Sequence, residues 1–100
     1  MITTIKEENG NLVAVFEGRL DTAAATQTEK DVKPIIESEG SDVILDCHQL
    51  TYISSSGLRI FLGILKTVKP KGNHVYITGL NEDLKNVFAM TGFSNLFEFK

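Results

Sequence analysis

Ser54, Ser55 and Ser56 stand in a row ahead of Gly57, within the run Tyr52-Ile53-Ser54-Ser55-Ser56-Gly57-Leu58-Arg59-Ile60-Phe61-Leu62. Hydroxyls at this spacing can cap a helix, accept a phosphoryl group or help hold an anion. From Leu58 the apolar residues recur at helical spacing, through Phe61, Leu62, Leu65 and Val68. A serine just ahead of such a pattern is a helix start signal, because its oxygen accepts an orphan backbone N–H. The serines are therefore expected at a helix N-terminus, where unpaired amides and the positive end of the macrodipole favour an anion. Two readings stay open: a serine cap alone, or a cap that is also a site for adding or binding phosphate.

Other chemistries find little support. The serines do not fit Gly-x-Ser-x-Gly, since Ser54 stands where the first glycine would be needed for Ser56. His48 and His74 are isolated, with no visible reason to reach the serines. No Gly-rich loop carries the lysine of a P-loop, and no ligand spacing suggests a metal. The expectation is a protein that is not an enzyme and needs no metal or cofactor. Cys47 is the single cysteine, which excludes an intramolecular disulfide, and at the end of an apolar run it reads as inert and buried.

Bulk properties narrow the class. One hundred residues suit a single domain over 1–100. A hydrophobic fraction of 42% and a charged fraction of 23% are ordinary for a globular protein. A net charge of -3 argues against direct nucleic-acid binding, which needs a basic face. No apolar run has membrane-spanning length, and Met1-Ile2-Thr3-Thr4 leads directly into a strand pattern. A cytoplasmic protein without a leader and with no membrane partner is the expectation.

The elements that must position the serines can be read in order. Ile2 to Lys6 and Leu12 to Glu17 read as strands joined antiparallel by the hairpin signal Asn9-Gly10. Gly18-Arg19-Leu20-Asp21-Thr22 turns the chain. Asp21 or Thr22 can cap a helix whose inner face carries Ala25, Thr28, Val32, Ile35 and Ile36. Pro34 should kink or restart that helix. Val43-Ile44-Leu45 reads as a central strand covered on both faces or nearly so, with His48 to Ile53 as a loop leading to the serine helix. Pro70-Lys71-Gly72 stops that helix. Val75 to Thr78 is a further strand. Asn81 caps a third helix with Glu82 and Asp83 in its first turn, an inner stripe of Leu84, Val87, Phe88 and Thr91, and Gly92 past its end. Met90 reads as core, and Leu96 to Phe99 as a last short strand. The fold class is α/β: a mixed, mostly parallel sheet with an antiparallel N-terminal hairpin and about three helices.

Sites in such sheets gather at the C-terminal ends of the strands. If the strands after which Asp21 and the serines follow are neighbours, both lie on one rim, a small polar surface without an obvious cavity. The residues expected to meet a partner there are Asp21, Thr22, Ser54, Ser55, Ser56, Gly57, Leu58, Arg59 and Gly63. Ser56 and Gly57 also have structural readings, as a first-turn hydroxyl and a close backbone approach. Arg59, Gly63, Lys66 and Thr67 fall on the outer helix face, and a glycine there costs about 1 kcal/mol relative to alanine, which hints that a partner backbone comes close.

Four segments in order carry a family resemblance over nearly the whole chain. They are Gly18-Arg19-Leu20-Asp21, the run Asp46-Cys47-His48-Gln49-Leu50-Thr51-Tyr52-Ile53, Ser54-Ser55-Ser56-Gly57-Leu58, and Val87-Phe88-Ala89-Met90-Thr91-Gly92-Phe93. Together they resemble the STAS domain, specifically the bacterial anti-sigma factor antagonists. Ser54 stands where the family carries aspartate, and many relatives carry a further C-terminal helix. The resemblance implies that Ser55 is the phosphoacceptor for an anti-sigma factor that is also a serine kinase. It implies that the unphosphorylated form sequesters this factor and frees a sigma factor, that phosphorylation ends the binding, and that a PP2C-type phosphatase reverses it. The alternative is a STAS module that is not phosphorylated and that binds an anion or nucleotide, or scaffolds a protein partner.

Overall fold

In the computed structural model, which describes residues 1–100, the chain opens with β1 (Ile2–Glu8) and β2 (Asn11–Leu20). They pair antiparallel around Asn9 and Gly10, both at positive φ (54° and 82°), the conformation that two-residue hairpins demand. Next come α1 (Thr22–Asp31) and the short α2 (Lys33–Ile36). Pro34 explains the break: it sits in the first turn of α2, where its missing N–H costs nothing, and forces a restart after Val32. The helix count is therefore four rather than three.

The order continues with β3 (Val43–Ile53), α3 (Ser55–Val68), β4 (Val75–Thr78), α4 (Glu82–Met90) and β5 (Glu98–Phe99). The sheet order is β1-β2-β3-β4-β5, with every pairing after the hairpin parallel. Each crossover steps to the next strand in the same direction. Right-handed crossovers of that kind put every helix on one face of the sheet. The register divides the strands into two rows. Ile5, Ala14, Leu45, Ile77 and Phe99 pair across the sheet on the helix side. Lys6, Val13, Ile44, Tyr76 and Glu98 pair on the other side, outside the main core cluster, although Val13 itself is buried. The expected cover on both faces of β3 is corrected accordingly: Val43, Leu45 and Cys47 are buried, whereas Ile44 and Asp46 are half-exposed.

Beneath the helices, Phe16, Phe61 and Phe88 form a chain of rings with centroids 5.1 and 6.2 Å apart, all fully buried. Met90 is not core; it is 85% exposed at the end of α4. Thr91 is exposed as well, its hydroxyl donating to the Val87 carbonyl at 2.9 Å, and the inner stripe of α4 reduces to Leu84 and Phe88 with Val87 half-buried.

Two further corrections concern the approach to the serines. Gly18 to Leu20 do not turn the chain, and residues 48–53 are not a loop. Both stretches extend β2 and β3, which stay paired to Leu20 and Ile53. From the Leu12–Val43 pair to the Leu20–Ile53 pair, β3 uses ten steps against eight in β2, so two residues are bulged out. Gly18 takes φ 102°, and its carbonyl accepts from the Thr51 hydroxyl at 3.0 Å. Polar residues at 46, 48, 49 and 51 hide the strand period in the sequence, because the bulges break the alternation that a regular strand would display.

Gly57 and Gly63 separate close approach from open space. A Cβ on Gly57 would come within 2.7 Å of Leu20 Cγ and 2.8 Å of Ile53 Cγ1, whereas one on Gly63 would meet nothing within 4 Å. Gly57→Ala should therefore cost about 1–3 kcal/mol through overpacking. Gly63→Ala should stabilise by up to about 1 kcal/mol through helix propensity. Chemical denaturation of both variants checks this, and a destabilised Gly63→Ala protein would contradict the packing described.

Candidate functional site

The ends of β2 and β3 fix the site. Ser54 N–H donates to the Leu20 carbonyl at 2.8 Å, which ties the first residue beyond β3 to the last residue of β2. Asp21 follows Leu20 and starts α1; Ser54 follows Ile53 and starts α3. Two helix N-termini thus stand side by side on one rim, as expected for parallel neighbours.

Each helix is capped by the residue at its boundary. Asp21 is extended (φ -88°, ψ 179°) and its Oδ1 accepts from Ala24 N–H at 2.9 Å. Ser54 is likewise extended (φ -86°, ψ 171°) and its Oγ accepts from Gly57 N–H at 3.2 Å. Ser54 is 8% exposed, and its hydroxyl is committed to the helix. Serine and aspartate are about equal as caps, so Ser54 caps α3 as well as an aspartate at this position would.

Ser55 is the first residue of α3 and differs from Ser54 in both respects: it is exposed, and its hydroxyl makes no hydrogen bond within the protein. Its amide and that of Ser56 lack intrahelical acceptors, as in any first turn. Ser56 is half-buried. Together with Thr22, Thr26, Glu29 and Arg59 it lines a polar cleft of about 220 Å³ between α1 and α3. Thr26 and Glu29 escaped the sequence reading because only the packing of α1 on α3 brings them to the rim. Arg59 is exposed, has no carboxylate partner, and lies one turn beyond Ser55 on the same helix face. The rim is therefore not featureless: an open hydroxyl sits beside a shallow polar cleft with one unpaired guanidinium. Arg19 and Tyr52 add a further pair near the strand ends, the guanidinium lying 4.4 Å from the ring centroid.

The remaining candidates divide by burial. Leu58 and Gly57 lie in the core-facing turn and shape the rim from below, so a partner would sense them only through the backbone they hold. Gly63 is half-buried, two turns from Ser55, with open space where a side chain would stand. His48 is exposed and engaged with Asp46, Nδ1 to Oδ1 at 2.7 Å, rather than with the serines. Burial pushes the Cys47 thiol well up, so it stays protonated and unreactive. No helix is long and apolar enough to cross a membrane.

Known proteins resemble this chain over nearly its whole length. The family model for the STAS domain matches residues 3–100. BtrV of Bordetella bronchiseptica, a candidate anti-sigma factor antagonist, is 30% identical over 97 residues, covering 97% of this chain and 84% of its own. The anti-sigma-B factor antagonist of Listeria monocytogenes is 27% identical over 97 residues, covering 96% of this chain and 85% of its own. Among solved structures, the Bacillus cell fate determinant SpoIIAA in its phosphorylated form matches with a TM-score of 0.75 at 17% identity, over 99% of this chain and 91% of that one. The structural likeness speaks for the fold.

The different hydrogen bonding of the two serines can be measured. Ser54→Ala and Asp21→Ala should each lose about 1 kcal/mol of stability, or roughly 4–8 °C in Tm for a domain of this size. Ser55→Ala should shift Tm by much less. Thermal melts decide it, and an equal loss in Ser55→Ala would assign the cap wrongly.

Proposed function

Because this chain belongs to the STAS domain family, in which the relatives above are anti-sigma factor antagonists, we propose that it is a protein-binding switch of that kind, controlled by reversible phosphorylation of Ser55. The observation that carries the reading is the exposed, unbonded hydroxyl of Ser55 at the first position of α3. Its neighbour Ser54 is buried and used as a cap, and Ser56 is half-buried against the cleft. Only Ser55 is free on both counts. In the reaction an anti-sigma factor with kinase activity supplies ATP. The Ser55 oxygen bonds to the γ-phosphorus, the bond to the β-phosphate oxygen breaks, and the hydroxyl proton passes to a base on the kinase. The protein itself acts as a ligand and a phosphoryl acceptor, not as an enzyme. A PP2C-type phosphatase would restore the hydroxyl.

Physical chemistry favours a change of surface over a change of fold. Phosphoserine carries roughly −1.5 to −2 charge. At an exposed helix N-terminus each unit is favourable by roughly 0.3–1 kcal/mol, and Arg59 stands one turn away. The folded domain has no reason to weaken. A partner that must cover this rim meets the opposite situation, since desolvating an unmatched charge costs at least several kcal/mol. A thousandfold loss of affinity needs only about 4 kcal/mol.

Incubation with a cognate anti-sigma kinase and ATP, followed by mass spectrometry, should place phosphate on Ser55 and not on Ser54 or Ser56. Phospho-Ser55 protein should lose most of its affinity for that partner in calorimetric titration, with Tm unchanged within a few degrees. Ser55→Asp should act the same way more weakly, having one charge and a different shape. Phosphate on Ser56 alone, unchanged affinity, or collapse of the fold would each defeat the reading.

A further inference from the structure

At the opposite end of α3, far from the rim, lies a groove of about 530 Å³. Leu62, Leu65, Lys66 and Lys69 of α3 and its C-terminal turn line it, together with Pro70, Asn95 and Leu96. The groove is open along one side, and Leu96 is 42% exposed although it is apolar. Neither Lys66 nor Lys69 pairs with a carboxylate: the ion pairs of the lysines are Lys6 with Glu8 and Lys85 with Glu82. Lys71 is already held, donating to the carbonyls of Ile36 and Ser38 at 3.1 and 2.6 Å.

The lining of this groove holds Lys66 and Lys69 and no acidic residue. Residues 47–81 contain Arg59, Lys66, Lys69 and Lys71 and no acidic residue, a net of +4 in a chain whose total is -3. The rest of the molecule therefore carries -7, while α3 and its C-terminal turn themselves bear only basic charges. Lysines left unpaired over an apolar floor match a ligand that is both apolar and acidic.

Geometry selects among such ligands. A small molecule normally has most of its surface enclosed, and this groove leaves one side open. An extended peptide binds by adding to a free strand edge, but the floor is a helix whose backbone is internally bonded. An amphipathic helix needs neither enclosure nor free backbone. Leu62 to Lys69 spans seven residues, about 10 Å or two turns, which is the reach of apolar anchors at i, i+3 or i+4, and i+7.

We propose that the groove between the C-terminal half of α3 and Leu96 is a second docking surface, and that it receives an acidic amphipathic helix of a partner protein. It does not rest on the reading of Ser55. From Ser55 to Lys66 is eleven residues along α3, about 16 Å, and to Lys69 fourteen, about 21 Å. Those are about two Debye lengths or more at physiological salt, each about 8 Å. Charge placed on Ser55 is largely screened from the groove, so the two surfaces bind nearly independently.

Amide NMR titration of the full chain tests this with two peptides of identical leucine spacing, one carrying glutamates on its polar face and the other lysines. The acidic peptide should shift Leu62, Leu65, Lys66, Lys69 and Leu96, and the basic one should not. The double substitution Lys66→Glu with Lys69→Glu, and separately Leu96→Ser, should each weaken binding roughly tenfold or more, with the melting curve confirming that each variant is folded. Ser55→Asp should bind the acidic peptide as the native protein does. Equal response to both peptides, shifts centred on the Ser55 rim, or binding that survives the lysine reversals would overturn the proposal. Occupancy by a medium-chain fatty acid without response to the acidic peptide would also overturn it, in favour of a lipid site.

Discussion

The hydrogen bond from Ser54 N–H to the Leu20 carbonyl, and the apolar contact beneath it, hold the functional end of this protein together. Leu20 is fully buried and pairs with Ile53, and Gly57 leaves no room for a methyl group between them. Three demands meet at that point. The strands must end in register, the helix must begin one residue later, and its first turn must pass against the strand ends. A glycine satisfies the last, and a short capping side chain satisfies the second. Once they are met, the N-termini of α1 and α3 stand together, and Ser55 has nowhere to point but outward.

The one-sided architecture follows from equally simple causes. Strands laid down in sequence order, each reached by a crossover of the same hand, put all four helices over one face. The helix side is closed by aromatic and aliphatic packing, with Phe61 between Phe16 and Phe88. The other face keeps Val13, Ile44 and Tyr76 as an apolar strip between Lys6 and Glu98. Around Tyr76 the strip is partly screened, His74 stacking on one side and the Lys100 ammonium 4.4 Å from the ring centroid.

In the proposed switch, function on this frame is a matter of surface charge rather than of moving parts. The rim offers backbone amides, hydroxyls and the Arg59 guanidinium, which favour an added phosphate, against the carboxylates of Asp21 and Glu29. Under that proposal, the partner covering the rim is the component that would not tolerate the charge. A rigid domain can switch in this way because the energetic penalty arises in the complex and not in the folded chain. The same helix carries its remaining free cations at the other end, largely screened from the first.

Much of this was legible in the residues themselves. The hairpin followed from Asn9-Gly10, because few residues adopt two positive φ values in succession. The start and end of α3 followed from the serines and from Pro70-Lys71-Gly72, and the helix α4 from Asn81 with its acidic first turn, because caps are local chemistry. The four spaced motifs identified the family. Tertiary structure alone decided which serine is spent and which is free, since burial of Ser54 depends on Leu20, thirty-four residues earlier in the chain. It decided that residues 48–53 are strand, because bulges forced by pairing with β2 erase the alternation that would reveal it. It also decided which side of β3 is open and that Met90 is exposed. A local sequence specifies what an element can be; the handedness and order of the crossovers specify what each of its faces meets.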